Sequence, residues 1–161
     1  MANKLQHEIK QSSPFSSLEE EAILNLARTA DRLQNSFRQM LKPHGLTPTQ
    51  YNALRILRGA GPGGLTCSEL GNRLVSEDPD ITRLVDRLAR QSLVVRHRDK
   101  QDRRVIHTEI TPAGLEKLKV LDPLVTESVQ NQVKHMGSRR LSLLIDLLEE
   151  AREPALIKVQ G

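Results

Sequence analysis

The sequence predicts a mainly α-helical protein with a small β-wing: a winged helix-turn-helix lobe joined to a helical dimerisation region. Three observations carry that prediction. Leu65 to Thr111 reads as a short helix, a turn, a second helix, and two β-rich runs joined by a basic, turn-prone loop. Positive charge is concentrated on that same stretch. The last helical pattern, Arg139 to about Arg152, holds more apolar residues than one inward-facing stripe needs, which calls for a second copy of the chain. At 161 residues the chain suits one domain with a substantial core and is short for two.

The elements follow in order. Residues 1–16 are polar, are interrupted by Pro14, and read as a flexible tail ahead of a single domain spanning 17–161. Ser17 and Glu20 have the spacing of a capping box. Behind them Leu18, Ala22, Leu26, Ala30, Leu33, Phe37 and Leu41 keep helical spacing until Pro43 and Gly45 stop it. Thr47 and Pro48 start a second helix with Tyr51, Leu54, Ile56 and Leu57 as its apolar residues. The run GAGPGG, Gly59 to Gly64, matches the G-x-G-x-x-G pattern of dinucleotide-binding loops, but a helical pattern precedes it and Pro62 lies within it. It is read as a loop.

Thr66 and Glu69 form another capping box, opening a short helix with Leu70 and Leu74 inward. Asp78 and Pro79 suit the cap and first position of the next helix, with Asp80 adding negative charge at the positive end of its dipole. Ile81, Leu84, Val85 and Leu88 share one face of that helix, and Ser76, Asp80, Arg83, Asp86, Arg87 and Arg90 project from the other. Leu93–Arg98 and Val105–Ile110 read as two strands around the loop Asp99–Arg104. Thr111 and Pro112 then open a helix from Ala113 to about His135, with Pro123 placed to kink it, and Gly137 separates it from a last helix over Arg139 to about Arg152. In that last helix Leu141, Leu143, Leu144, Ile145, Leu147 and Leu148 leave little polar circumference. Residues 46–111 are thus the winged lobe, and 17–45 and 112–161 the dimerisation helices.

The charge distribution points to a partner. Arg83 to Arg104 holds eight Arg or Lys against three Asp, a balance of +5 in a chain whose total is +4. Such a concentration is the electrostatic footprint of a phosphate-binding surface, and a helix with a polar N-terminal half meets base edges in the major groove. Double-stranded DNA is the expected partner. Arg83 is the first candidate for a base contact, with Thr82, Ser76 and Asp80 close behind and Arg87 further along the same face. Asp102 and Arg104 lie two apart in the wing loop, near enough for the carboxylate to orient the guanidinium.

At this point a family resemblance becomes specific. Asp102, Arg104, Ile110, Thr111 and Gly114 reproduce the wing signature D-x-R-x5-L-T-x-x-G of the MarR (multiple antibiotic resistance) regulators, with Ile for the usual Leu. The run PDITRLVDRLARQSLVVR and the upstream LTPTQYNALRIL also resemble that family, over roughly Leu18 to Leu118. One departure is Ser92, where the family commonly places Gly. The resemblance implies an obligate homodimer on a pseudo-palindromic operator. It further implies Arg104 in the minor groove with Asp102 positioning it, and Arg98, Lys100 and Arg103 on phosphates. It also implies a small aromatic or phenolic effector, in a cleft lined by the first helix, by Pro48 to Leu57 and by the helix after Thr111. The expected activity is that of a sequence-specific transcriptional repressor released by such an effector. The alternative is a winged-helix architectural or protein-interaction module without operator specificity; it has no reason to hold both a polar recognition-helix N-terminus and a wing-tip arginine beside a +5 surface.

Little favours an enzyme. His7, His44, His97, His107 and His135 are dispersed without metal-ligand spacing, no G-x-S-x-G occurs, and no metal or cofactor is expected. The single cysteine, Cys67, forms no intramolecular disulfide and is read as structural rather than redox-active. No apolar run approaches the roughly 18 residues of a membrane span, and the N-terminus lacks a hydrophobic signal segment, so a cytoplasmic protein is expected.

Overall fold

The structure is a computed structural model and describes residues 4–76 and 80–153. These fall into two compact units divided between Asp122 and Pro123, where the sequence reads as one domain. In the first unit the order is α1 (Lys4–Glu8), α2 (Leu18–Leu41), a 3-10 turn, α3 (Pro48–Ala60), β1 (Leu65–Thr66), α4 (Cys67–Arg73), α5 (Ile81–Arg90), β2 (Val94–Arg98), β3 (Ile106–Ile110) and the start of α6 (Pro112–Val133). The second unit holds the rest of α6, a 3-10 turn and α7 (Gly137–Arg152). Pro123 lies inside α6 without ending it.

Within the stretch expected to be a flexible tail, Lys4–Glu8 is helical, which corrects that expectation for these residues. The reason is apolar: Leu5 is buried. The capping boxes at Thr47–Gln50 and Thr66–Glu69 are complete. At α2 only half of the expected box forms. Ser17 accepts from the Glu20 N–H at 3.2 Å, but the Glu20 carboxylate accepts from the Ser16 N–H at 2.6 Å instead of returning to Ser17. Asp78 and Pro79 lie outside the described residues. Asp80, expected only to add charge, is itself the N-cap of α5, its carboxylate accepting from the Arg83 N–H.

The sequence-visible strands pair antiparallel in the register Val94↔Ile110, Arg96↔Thr108 and His97↔His107. A third strand, β1, was not legible: its two residues, Leu65 and Thr66, pair with Thr108 and His107, giving the order β1-β3-β2. Two residues are too few to show a periodicity. Between α5 and β2, Ser92 takes φ 58°, the left-handed geometry that glycine serves elsewhere. The turn survives the substitution at a cost of about 1–2 kcal/mol.

The core of the first unit is aliphatic: Leu41, Leu54, Leu57, Leu70, Val85, Leu88, Leu118 and Leu121 are fully enclosed. Tyr51 adds a polar clamp. Its hydroxyl donates to Asp122 Oδ1 at 2.7 Å, Arg58 donates to Asp122 Oδ2 at 2.6 Å, and Phe37 meets the Tyr51 ring edge-on at 6.0 Å. Burial, then the Asp122 carboxylate, push the Tyr51 phenol up to about 12. Burial alone would raise Asp122; the hydrogen bonds from Arg58 and Tyr51 outweigh it and hold the carboxyl below its ordinary value.

This gives a pH test. Tyr51 is the only tyrosine in the chain. A phenol whose folded value exceeds its unfolded one adds stability that is complete below about pH 10 and is lost as pH rises toward 12. The tyrosinate absorbance should therefore stay flat through pH 10 and rise later, together with unfolding by circular dichroism. Half-titration near pH 10 in a folded protein would contradict the clamp.

The remaining helices leave apolar residues uncovered. Leu18 is 81% exposed, and Ile23, Leu26 and Leu33 of α2 are also exposed. In the second unit no α7 residue is buried, and Leu143, Ile145 and Leu147 are each more than half exposed.

Candidate DNA-binding surface

The surface is assembled from two pieces of the first unit, the N-terminal half of α5 and the wing. In α5, Leu84, Val85 and Leu88 are buried, so the face carrying Thr82, Arg83 and Arg87 is turned outward, and those three side chains are exposed. Asp80 serves twice. One carboxylate oxygen caps the helix through the Arg83 N–H at 3.1 Å, and the other pairs with Arg83 Nε at 3.0 Å, holding a guanidinium side chain that is 76% exposed. The geometry makes Asp80 a holder of Arg83. Ser76 is exposed in the bend after α4, where the neighbouring Val75 N–H donates to Asn52 Oδ1 at 3.0 Å.

Asp86 projects from the polar face but is spoken for: Arg96 of β2 ion-pairs with it and makes a long contact, 3.5 Å, to the Thr82 carbonyl. This tie between wing and recognition helix was missed in the sequence, although a signal existed. Arg96 shares the inward face of the strand with Val94 by the two-residue period, and an inward-facing charge needs a partner.

The wing loop is built on carboxylates. The Asp99 N–H donates to the Val105 carbonyl and the Val105 N–H to the Asp102 carbonyl, both at 2.9 Å. The Asp99 side chain accepts from the N–H groups of Gln101 at 2.7 Å and Asp102 at 2.9 Å. These two contacts, Asp102 first, hold the Asp99 carboxyl below its ordinary range. Asp102 Oδ1 accepts from the backbone N–H of Arg104 at 3.0 Å. That corrects the expectation that Asp102 orients the guanidinium: the carboxylate curls back onto the main chain two residues on, the usual local contact of an aspartate in a turn. Arg98, Lys100, Asp102, Arg103 and Arg104 are all exposed.

Two histidines that look dispersed in sequence are brought together here. His97 and His107 are cross-strand partners whose rings stack at 5.7 Å, with His107 Nε2 at 3.4 Å from Asp99 and His97 Nδ1 at 3.9 Å from Glu109. Among the described residues no group of three or more His, Cys, Asp or Glu is arranged to hold a metal ion, and Cys67 is free and half-buried. No described helix is long and apolar enough to cross a membrane.

The base of the wing explains the end of the signature. Thr111 donates to the Ser92 carbonyl at 2.7 Å and accepts from the Gly114 N–H at 3.1 Å. A Cβ on Gly114 would lie 2.3 Å from the Leu93 carbonyl oxygen, so the close approach of α6 to the start of β2 admits only glycine.

Comparison with known proteins agrees with this architecture. Residues 44–105 match the sequence model of the MarR family. The HTH-type transcriptional regulator YkoM of Bacillus subtilis is 29% identical over 142 residues, covering 85% of this chain and 90% of that protein. The crystal structure of a MarR transcription factor from Planctomyces limnophilus is 40% identical, with a TM-score of 0.66 over 84% of this chain and 98% of that one. S. aureus MepR, solved in a DNA complex, shares the fold at 21% identity, with a TM-score of 0.71 over 78% of this chain and 92% of its own. With a wing signature whose glycine and threonine have visible structural reasons, and with a 40% identical MarR transcription factor aligned over 84% of this chain, this chain belongs to the MarR family of winged helix-turn-helix transcriptional regulators.

Proposed function

We propose that the protein is a repressor that binds a pseudo-palindromic operator as a homodimer and is released by a small aromatic or phenolic anion. The observation that carries the DNA reading is the exposed Arg83, held by Asp80 at the N-terminal end of a helix whose inner face is buried. In this reading residues 46–111 form the DNA-binding lobe, and 17–45 and 112–161 form the dimerisation helices. Arg83, Thr82 and Ser76 face base edges, Asp80 holds Arg83, and Arg87, Arg98, Lys100 and Arg103 meet phosphates. Arg104, with Asp102 behind it, enters the minor groove. Half-site centres then lie about one helical turn, roughly 34 Å, apart.

The test begins with duplexes enriched from random-sequence DNA by the full chain, which should converge on an inverted repeat. Arg83→Ala should cost about 1–3 kcal/mol on that duplex and relax the preference at one position per half-site. Equal loss on unrelated DNA would make Arg83 a phosphate contact. A panel of hydroxybenzoates added to the complex tests release.

Dimerisation is supported by the exposed Leu143, Ile145 and Leu147 of α7, apolar surface that association removes from water at about 25 cal/mol per Å². Sedimentation at low micromolar concentration should give twice the 18.1 kDa chain mass. A single species at the chain mass would sink the dimer.

A further inference from the structure

We propose that Asp99 is a positioning residue for DNA binding, holding the loop that presents Arg104 through two main-chain contacts and braced from β3 by His107. The inference rests on the reading that the wing tip meets DNA. Asp99 sits at the exact start of the loop, one residue beyond β2. Its carboxylate gathers the Gln101 and Asp102 N–H groups, and its own N–H closes the loop on Val105 from the other side. Asp102, fixed in this way, then accepts from the Arg104 N–H, so the chain of contacts runs Asp99 to Asp102 to Arg104.

The other Asp99 oxygen lies 3.4 Å from His107 Nε2, and His107 is anchored by its pairing with both β1 and β2. Asp99 is therefore the point at which the three-stranded sheet grips the loop. A carboxylate that merely balanced the surrounding cations would not need two amides and an imidazole.

Electrostatics and positioning predict opposite results. Asp99 adds a negative charge to a basic surface, so if charge alone mattered, both Asp99→Ala and Asp99→Asn would bind DNA more tightly, with the greatest gain at low salt. Positioning requires the acceptor oxygen, which Asn retains and Ala lacks. On the duplex enriched by the wild-type chain, Asp99→Ala should bind about tenfold more weakly and Asp99→Asn within about twofold of wild type. Because Asp99 acts through Arg104, the double variant Asp99→Ala/Arg104→Ala should bind no more weakly than Arg104→Ala alone, a non-additivity that general destabilisation would not produce.

Asp99→Ala binding as well as wild type, or losses that multiply in the double variant, would overturn the proposal while leaving the wing in contact with DNA. If Arg104→Ala itself binds like wild type, the wing reading fails and this inference fails with it. If no duplex is enriched, the proposed function is overturned at its first step.

Discussion

Replacing Arg104 with alanine should weaken operator binding by about 2 kcal/mol or more, roughly thirtyfold, with little change in thermal stability. The side chain is exposed and makes no ion pair among the described residues, so its removal costs the fold nothing visible. A guanidinium is always charged and planar, which suits a narrow minor groove where the negative potential is enhanced. Asp102→Ala supplies the control of opposite sign. It removes a negative charge, which on electrostatic grounds should strengthen DNA binding. It also removes the acceptor that fixes the Arg104 main chain at 3.0 Å. A net loss of about 1 kcal/mol is expected, persisting across a salt titration. Tighter binding by Asp102→Ala at every salt concentration would leave the wing as a basic patch with no positioned arginine.

The second large effect is on folding. Gly64→Ala should destabilise the protein by on the order of 3–5 kcal/mol, enough to unfold many domains of this size. Gly64 has φ +66°, and a Cβ built there would lie 2.1 Å from the Thr108 carbonyl oxygen and 2.6 Å from its carbon. Both atoms are backbone, in the middle strand of the sheet, so no side chain can move aside. Relief requires β1 to separate from β3, which breaks the Leu65↔Thr108 pairing. Gly59 gives the contrast: it lies inside α3, and an added Cβ meets nothing within 4 Å. Gly59→Ala should stabilise by roughly 0.5–1 kcal/mol through helix propensity. Chemical denaturation of the two variants reads both outcomes, and near-wild-type stability for Gly64→Ala would refute the close approach of loop and strand.

Both predictions draw on features that differ in how they are encoded. The helices over 18–41, 48–60 and 81–90, the hairpin, and the concentration of charge from Arg83 to Arg104 are each determined within a few neighbouring residues. Caps, apolar spacing and turn-prone composition act over one or two turns of chain, so these elements and the exposed arginines of α5 and the wing were legible from neighbouring residues alone. The fold class followed from their order.

Other features belong to pairs distant in sequence. Gly64 looks like any loop glycine until β3 is laid beside it. Arg96 and Asp86 become partners only when the wing packs on α5, and His97 meets His107 only in one register of the hairpin. Asp102 accepts from the Arg104 N–H while Asp99 gathers the Gln101 and Asp102 N–H groups, a division among nearby acceptors that spacing does not resolve. Leu5 finds cover in a stretch whose composition is polar. In all of these the deciding contact depends on which surfaces the tertiary fold brings together, and the free energy of burial and hydrogen bonding there exceeds the local preferences that a sequence pattern records.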